Sequence, residues 1–322
     1  MQNFSHGAPR PENTFGASDV AAVCGVSKYQ SAHGVWARIS GRETWNKTQT
    51  PAQAWGHNIE SAILQHYRQN YLSPTTPFEY VGKTYRMPGL ERWVATPDAT
   101  RETSPLIVDA KNYDSETHLL QAMWQIFIYN EQAKDENRQK ADHAIFHIVD
   151  FGRPPEPTVY RWDDELFELI LKRVSHFWEY NILQDIEPEP DAHENTKEIL
   201  AKLYKINPAA AEKKEKKPTT PEIDNLMRLL IKARNAKKKA ETVEAELKNK
   251  ICQFIGSDYG CEGKYGSMIW TPRSGNTDWD ALIAEFVKVY NLPLSDVLEM
   301  KTDSRFKKPD SRSPRFTEKK DK

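Results

Sequence analysis

The segment Trp93–Tyr113, WVATPDATRETSPLIVDAKNY, constrains the fold more than any other part of the chain. Two short apolar runs, Trp93-Val94-Ala95 and Leu106-Ile107-Val108, flank a polar stretch that is rich in turn-forming residues. Apolar runs of this length on either side of such a stretch predict a β-hairpin. An acid follows each run, Asp98 or Asp109, so the hairpin is expected to bring two carboxylates to adjacent strand ends.

The second strand of this hairpin carries a further charge. Because side chains alternate along a strand, Asp109 and Lys111 are expected on one face and Ala110 on the other, toward the core. Two neighbouring carboxylates repel unless a cation lies between them, and oxygen ligands suit Mg²⁺ or Mn²⁺ better than zinc. Lys111 could then orient a water or stabilise a phosphate during P–O cleavage. The alternative is two surface acids that close a hairpin, since acid-x-Lys recurs elsewhere, as at Glu246.

Three further motifs occur with Asp109-Ala110-Lys111 in a defined order. They are Gly16-Ala17-Ser18-Asp19, then Trp55-Gly56-His57-Asn58-Ile59-Glu60, then Thr96-Pro97-Asp98. In this combination the chain resembles the YqaJ-type viral recombinases, which are related to lambda exonuclease within the PD-(D/E)XK nuclease superfamily. The resemblance covers roughly residues 14–185.

The resemblance implies a fold and an activity. The fold is an α/β restriction-endonuclease-like core, with a mixed central sheet flanked by helices. The activity is that of a metal-dependent 5′→3′ exonuclease that acts on double-stranded DNA ends and leaves 3′ single strands for recombination by strand annealing. Two alternatives stay open: a structure-specific or single-strand endonuclease, and a catalytically inactive DNA-binding recombination scaffold.

The resemblance also implies roles for individual residues. Mg²⁺, for which Mn²⁺ is expected to substitute, would be held by Asp98, Asp109, the Ala110 carbonyl and Glu60, while Lys111 acts on the attacking water or the transition state. A glutamine from the following helix would complete the site. Gln121 and Gln125 lie one turn apart and are both candidates, with Gln125 preferred.

Ser18 has two interpretations. Near a helix start it can cap backbone N–H groups, and the resemblance implies a contact with the 5′-phosphate of the DNA end.

Composition bounds the remaining possibilities. The three cysteines show no C-x-x-C spacing, which argues against disulfides, zinc and an iron–sulfur cluster. No apolar run approaches the roughly 18 residues of a membrane span, and no secretory signal is visible, so we expect a cytoplasmic protein, in a bacterial host if phage-encoded. The expected partners are double-stranded DNA ends and a single-strand annealing protein. A homotrimeric ring is implied by the resemblance to lambda exonuclease alone.

Apolar periodicity and cap residues predict the other elements. Helices are expected over 17–24, 31–40, 53–71, 116–134, 165–183, 222–255 and 278–290, with a short helical stretch near 196–204, and strands over 80–87, 143–151 and 159–162. The helix over 165–183 should bury Leu166, Leu169, Ile170, Val174, Phe177 and Trp178.

The predicted domain organisation follows from changes in composition. A flexible N-terminus (1–13) precedes a nuclease domain (14–187), a linker (188–221), a long helix with a hairpin and helix appendage (222–300) and a disordered charged tail (301–322). The long helix has apolar residues at heptad spacing, which predicts a seam against another helix of the same chain or of a second subunit. The hairpin is expected around Arg273-Ser274-Gly275-Asn276.

Overall fold

The computed structural model describes residues 13–43, 51–113, 115–149, 156–205, 216–270, 279–289 and 293. The chain divides into two compact units, Met1–Lys205 and Ile206–Lys322. The predicted flexible N-terminus, up to residue 12, and the predicted disordered tail lie outside the described residues.

A five-stranded mixed sheet forms the centre of the first unit, with the spatial order β1-β4-β5-β6-β7. Neighbouring strands run antiparallel except β5 and β6, which run parallel. A parallel pair needs a crossover connection, and α4 (Thr117–Asp135) provides it. The five strands are β1 (Tyr80–Val81), β4 (Ala99–Arg101), β5 (Leu106–Lys111), β6 (His143–Ile148) and β7 (Glu156–Arg161).

The remaining two strands of this unit form a separate antiparallel ribbon, β2 (Tyr85–Met87) with β3 (Leu90–Ala95). The prediction of one strand over 80–87 is therefore wrong. The chain changes direction at Gly82, whose φ of 64° lies in the left-handed region that favours glycine.

The predicted hairpin also has a different first strand. The antiparallel partner of β5 is β4, which begins at Ala99, whereas the Trp93-Val94-Ala95 run belongs to β3 and pairs with β2. Pro97 has no N–H to donate to a strand ladder, so the strand that starts at Leu90 ends before it and a new strand starts after Asp98.

Helices cover both faces of the central sheet. α4 packs on the face that carries Ile107, and α3 packs on the face that carries Val108, so consecutive residues of β5 are buried in two different clusters. The helices of this unit are α1 (Ala17–Val23), α2 (Ala32–Ile39), α3 (Pro51–Tyr71), α4, α5 (Asp164–His176), which continues as a π-helix over Phe177–Leu183, and α6 (Glu194–Leu203). The predicted mixed α/β class with a helix-flanked sheet is confirmed.

α5 begins after its N-cap Asp163, whose Oδ1 accepts the N–H of Leu166 at 3.0 Å. One residue of its predicted core is not buried. Leu169, predicted to be buried, is 65% exposed. The buried stripe passes through Phe167, Ile170 and Val174, and Leu169 lies about 130° around the helix from its centre, since successive residues are about 100° apart.

α6 confirms the short helix predicted near 196–204, within the segment that composition assigned to a linker, and it packs on α2. Asn195 Oδ1 accepts the N–H of Ser31 at 3.1 Å. Gly34 is required at this contact because a Cβ there would lie 2.1 Å from Asn195 Oδ1.

In the described residues of the second unit, the structure shows a long helix, a hairpin and a short helix. They are α7 (Pro221–Ile255), β8 (Gly260–Gly263) with β9 (Gly266–Ile269), and α8 (Trp279–Val289). The hairpin turns at Lys264-Tyr265, while the predicted turn at 273–276 lies outside the described residues. Within the described part of the chain, no helix combines the length and apolar character that crossing a membrane requires.

Candidate active site

Asp98 and Asp109 are held together by two reciprocal hydrogen bonds. The backbone N–H of Asp98 donates to Asp109 Oδ1 at 3.2 Å, and the N–H of Ala110 donates to Asp98 Oδ2 at 2.7 Å. Asp109 lies within β5, and Asp98 directly precedes β4, its hairpin partner. The two acids therefore meet as the sequence predicted, although the strand that precedes Asp98 is not part of their hairpin.

Lys111 shares the face of Asp109, as strand alternation predicts. Its Nζ lies 2.7 Å from Asp109 Oδ2, and 18% of its side chain is exposed, against 1% for Asp109. Ala110 points to the opposite face and packs on the cluster beneath α3. The acid is thus the floor of the site, and the ammonium lies nearer to the solvent.

Both candidate glutamines of α4 contact Asp109. Gln121 Nε2 donates to Oδ2 at 2.7 Å, and Gln125 Nε2 donates to Oδ1 at 2.9 Å. The structure therefore brings both candidates to Asp109, since two residues one turn apart reach the two oxygens of the same carboxylate. Gln125 is fully buried and Gln121 only partly, so Gln121 lies on the solvent side of the pair.

The amide oxygen of Gln125 is the one unsatisfied atom of this cluster. Gln125 Oε1 is buried and has no hydrogen-bond partner in the described part of the chain. An unpaired buried acceptor is costly, and such atoms call for an explanation. The hydrogen bond from Gln125 Nε2 to Asp109 and the packing of α4 both hold this amide in place. Its orientation therefore serves Asp109.

Glu60 approaches the cluster from α3, on the other side of the sheet edge. Its side chain is partly buried, and its charge contributes to raising the pKa of Asp98. The structure thus brings Glu60 near Asp98, whereas the four contacts to Asp109 come from other residues.

The charges of the cluster are strongly unbalanced. The pKa of Asp98 is raised well above its ordinary value, first by burial and then by the charges of Asp109 and Glu60, with Lys111 and the Ala110 N–H acting in the opposite direction. Burial alone would lower the pKa of Lys111, but Asp109 and Asp98 raise it above its ordinary value. Lys111 is therefore a permanent ammonium, and the raised pKa of Asp98 shows that the site disfavours a further negative charge and would favour an added cation.

The donor set fits a hard divalent cation. Two carboxylates that repel each other, Asp98 and the buried Asp109, are the kind of protein ligand that Mg²⁺ commonly uses, with water and substrate phosphate in the other positions. Among the residues that the structure describes, no three His, Cys, Asp or Glu side chains form a group that could hold a metal.

Ser18 lies at the first turn of α1 and is exposed. Its predicted capping role is wrong, because Gly16 is the N-cap residue and Asp19 Oδ2 accepts the Gly16 N–H at 2.8 Å. Asp19 is also bound to Arg38 of α2 at 2.8 Å, which fixes the orientation of α1. The contact between Ser18 and a 5′-phosphate stays a prediction.

Two exposed tyrosines adjoin the site and were not singled out from the sequence. Tyr113 follows Lys111 by two residues, and burial and the nearby Tyr29 raise its pKa, while Lys111 lowers it. Tyr29 is 75% and Tyr113 44% exposed. The position of Tyr113 just past the strand that carries Asp109 was the available signal. Exposed aromatic rings of this kind are the groups on which nucleic-acid bases stack.

Comparison with known proteins gives a family for the N-terminal part of the chain. Residues 8–139 match the model of the YqaJ-like viral recombinase domain, so the resemblance is confirmed over this range. No curated protein matches the chain.

Several solved structures align with the chain at low similarity. An alkaline exonuclease (LHK-Exo) from Laribacter hongkongensis is 16% identical, with a TM-score of 0.39, over 60% of this chain and 96% of that one. LHK-Exo in complex with dAMP is 18% identical, with a TM-score of 0.37, over 52% of this chain and 88% of that one. SSO0001 is 14% identical, with a TM-score of 0.32, over 54% and 79%.

Proposed function

We propose, on the premise that residues 8–139 form a YqaJ-like viral recombinase domain, that the chain hydrolyses phosphodiester bonds of DNA in the presence of Mg²⁺ or Mn²⁺. One observation carries the proposal. A buried carboxylate, Asp109, is contacted by an ammonium, two amides and the backbone of a second acid at 2.7 to 3.2 Å. A structural salt bridge alone would not need the second acid, which repels the first.

The residues divide into those that would hold a cation and those that act beside it. Asp98, Asp109 and the Ala110 carbonyl would hold Mg²⁺, with Glu60 contributing directly or through water. When bound, the ion would polarise the phosphoryl oxygens and lower the pKa of a water.

Lys111 stabilises negative charge on the phosphate. Its ammonium is permanently charged and partly exposed, so a scissile phosphate over Asp109 lies within its reach, and charge that develops in the transition state strengthens the contact. Gln125 holds Asp109 in one orientation, and Gln121, on the solvent side, can orient the attacking water.

The finer activity is a 5′→3′ exonuclease on double-stranded ends, which would leave 3′ single strands for an annealing protein. The resemblance supports this polarity. Ser18 would contact the terminal 5′-phosphate from the exposed first turn of α1, where backbone N–H groups favour an anion. A trimeric ring around the DNA, implied by the same resemblance, would keep the enzyme on one strand. The native mass of the protein bound to a DNA end tests this assembly.

The test is digestion of linear double-stranded DNA labelled at the 5′ or the 3′ end, with Mg²⁺ or EDTA and with closed circular DNA beside it. We expect mononucleotides from the 5′ label, none with EDTA and none from the circle. Lys111→Ala is the matched inactive variant, and Lys172→Ala, a change at an exposed lysine of α5, is the control.

Each other result selects a different function. Cutting of the circle indicates an endonuclease. Binding of DNA without cleavage under any divalent metal indicates a recombination scaffold and contradicts the proposal.

A further inference from the structure

α7 carries a continuous apolar stripe at heptad spacing along a helix of 35 residues, about 52 Å at 1.5 Å per residue. One row of the stripe repeats every seven residues, and a second row lies three residues after the first. The rows are Leu226, Ala233, Ala240, Leu247 and Phe254, and Leu229, Ala236 and Val243. This spacing is that of helices that pack side by side with a left-handed crossing.

The stripe faces solvent. Leu226 is 58%, Leu247 54% and Phe254 81% exposed, and the flanking Leu230 and Ile251 are also exposed. Ile255 alone among the residues of α7 is buried. A contiguous apolar surface of this length on a helix that is otherwise densely charged marks a contact surface.

The charges beside the stripe change sign along the helix. Lys237 and Lys239 lie on either side of the stripe in its first half, and Glu244 and Glu246 occupy the corresponding positions in the second half. A helix with this arrangement is complementary to itself only when a second copy runs in the opposite direction.

An antiparallel alignment in which Ala240 faces Val243 of a second copy gives six of the eight stripe residues an apolar partner; Ala233 faces Lys250, and Leu226 lies beyond the end of the facing helix. The small residues then face larger ones, and the twofold axis makes each contact twice. The facing apolar pairs are Leu229 with Phe254, Ala236 with Leu247, and Ala240 with Val243.

The same alignment satisfies the flanks. It places Lys237 opposite Glu244, Lys239 opposite Glu246, and Leu230 opposite Ile251, again twice each. Opposite charges at such positions set partner choice and orientation. Lys250 is the one charged residue in the seam; it faces Ala233, past which its aliphatic stem can reach solvent.

A parallel, in-register pair is disfavoured by the same residues. In such a pair Lys250 would face Lys250 of the second copy within the seam, and Lys232 would face Lys237 on both flanks. Lys239 with Glu244 would be the remaining attractive pair. The antiparallel order also opposes the two helix dipoles.

The flanking charges already form pairs within the helix. Lys248 lies near Glu244, and Lys250 Nζ lies 2.8 Å from Glu246. Exposed pairs of this spacing contribute little to stability, so exchanging them costs little compared with the gain from burying the apolar stripe.

We propose that α7 is a homotypic association surface, which pairs antiparallel with α7 of a second copy of this chain through the Ala240–Val243 alignment. The surface is independent of the nuclease site, because none of its residues belongs to the Asp109 cluster.

The first test uses the native mass of the full-length chain, measured by light scattering. Glu244→Lys with Glu246→Lys makes all four flanking positions basic, and Lys237→Glu with Lys239→Glu makes them all acidic. Each double variant alone is expected to halve the native mass, whatever other contacts the chain makes, and mixing the two variants is expected to restore it. Arg228→Glu with Lys238→Glu, at outward positions, is the control for charge and should leave the mass unchanged.

The second test determines the orientation, in full-length chains with Cys24, Cys252 and Cys261 changed to serine. Ala236→Cys mixed with Leu247→Cys should form a disulfide between the two variants, while neither should do so alone. These positions are about 16 Å apart along one helix, so a parallel pair would give the reverse pattern.

Three results would overturn the proposal. The first is a wild-type native mass of one chain, which would mean that another helix of the same chain covers the stripe. The second is a native mass that the charge variants leave unchanged. The third is cross-linking of Ala236→Cys to itself. All readouts are separate from DNA cleavage, so the failure of one proposal does not decide the other.

Discussion

α4 and α7 are both long helices with apolar residues at helical spacing, yet they are used in opposite ways. α4 is buried between the sheet, the β2–β3 ribbon and α1, and its polar residues that face inward, Gln121 and Gln125, bind Asp109. α7 keeps its apolar stripe on the surface, and its polar residues face solvent. In the buried helix the inward-facing polar side chains are the exceptions that call for a role, whereas in the exposed helix the apolar side chains are.

The largest expected effect separates chemistry from fold. Lys111→Ala is expected to lower kcat on linear DNA by about 10³-fold, on the order of 4 kcal/mol, because it removes a charge that acts on the transition state. The circular dichroism spectrum should be unchanged. Measured nuclease activity within tenfold of wild type would show that Lys111 is only a structural ion pair.

Core packing gives the next effect and compares the two helices directly. Ile128→Ala in α4 removes a fully buried side chain and should lower the free energy of unfolding of the first unit by about 3 kcal/mol. Leu229→Ala in α7 removes an exposed one and should leave that transition unchanged. Urea titration monitored by tryptophan fluorescence measures both, and equal losses would contradict the contrast.

A buried histidine makes the first unit sensitive to acid. Burial, followed by the nearby His66, lowers the pKa of His147 from its ordinary 6.5 to about 4. The unfolded chain therefore binds a proton below pH 6.5 that the folded chain does not bind until about pH 4. Stability is full above pH 6.5 and falls by up to about 3 kcal/mol as the pH drops through this window.

The matched variant is His147→Phe, which cannot take up a proton. Its free energy of unfolding should vary less between pH 6.5 and 4 than that of wild type. An identical slope in both proteins would assign the acid sensitivity to other groups. α7 contains no histidine, so this prediction concerns the first unit alone.

The smallest expected effect tests the orienting role of the glutamines. Gln125→Ala should raise the Mg²⁺ concentration required for cleavage by about 10- to 100-fold, because partners of a metal-binding carboxylate fix its orientation. Gln121→Ala, on the solvent side, should act more on kcat than on the Mg²⁺ concentration required. A Mg²⁺ titration of initial rates separates the two, and equal responses would contradict the assignment.

Local pattern accounted for most elements of the first unit. The helices were found to within a few residues, since apolar spacing and caps such as Ser31 and Asp163 act within one or two turns. The pairing of strands was not found, because it depends on residues distant in sequence. Gly82 and Pro97 were visible in the sequence as residue types that can end a strand. The partner that each following strand takes is decided by how the ribbon and the sheet pack on α4.

The candidate site shows the same division. Asp98, Asp109 and Lys111 could be identified because strand alternation puts the last two on one face and a motif orders all three. Gln121 could not be chosen over Gln125, since both lie on one helix face and their reach depends on the distance between α4 and β5. Tyr29 lies far from Tyr113 in sequence, so its position beside the site follows only from the packing of the folded chain.

By itself, the sequence determined which acids and lysine form the candidate site, Asp98, Asp109 and Lys111, the periods of the helices and the heptad stripe with its change of charge sign along α7. These are properties of residue type and spacing over a few turns or strands. Tertiary structure alone decided that β4 rather than β3 pairs with β5, that both glutamines bind Asp109, and that the α7 stripe stays exposed. Each of these depends on which surfaces are buried against each other, and burial is a property of the whole fold rather than of any one segment.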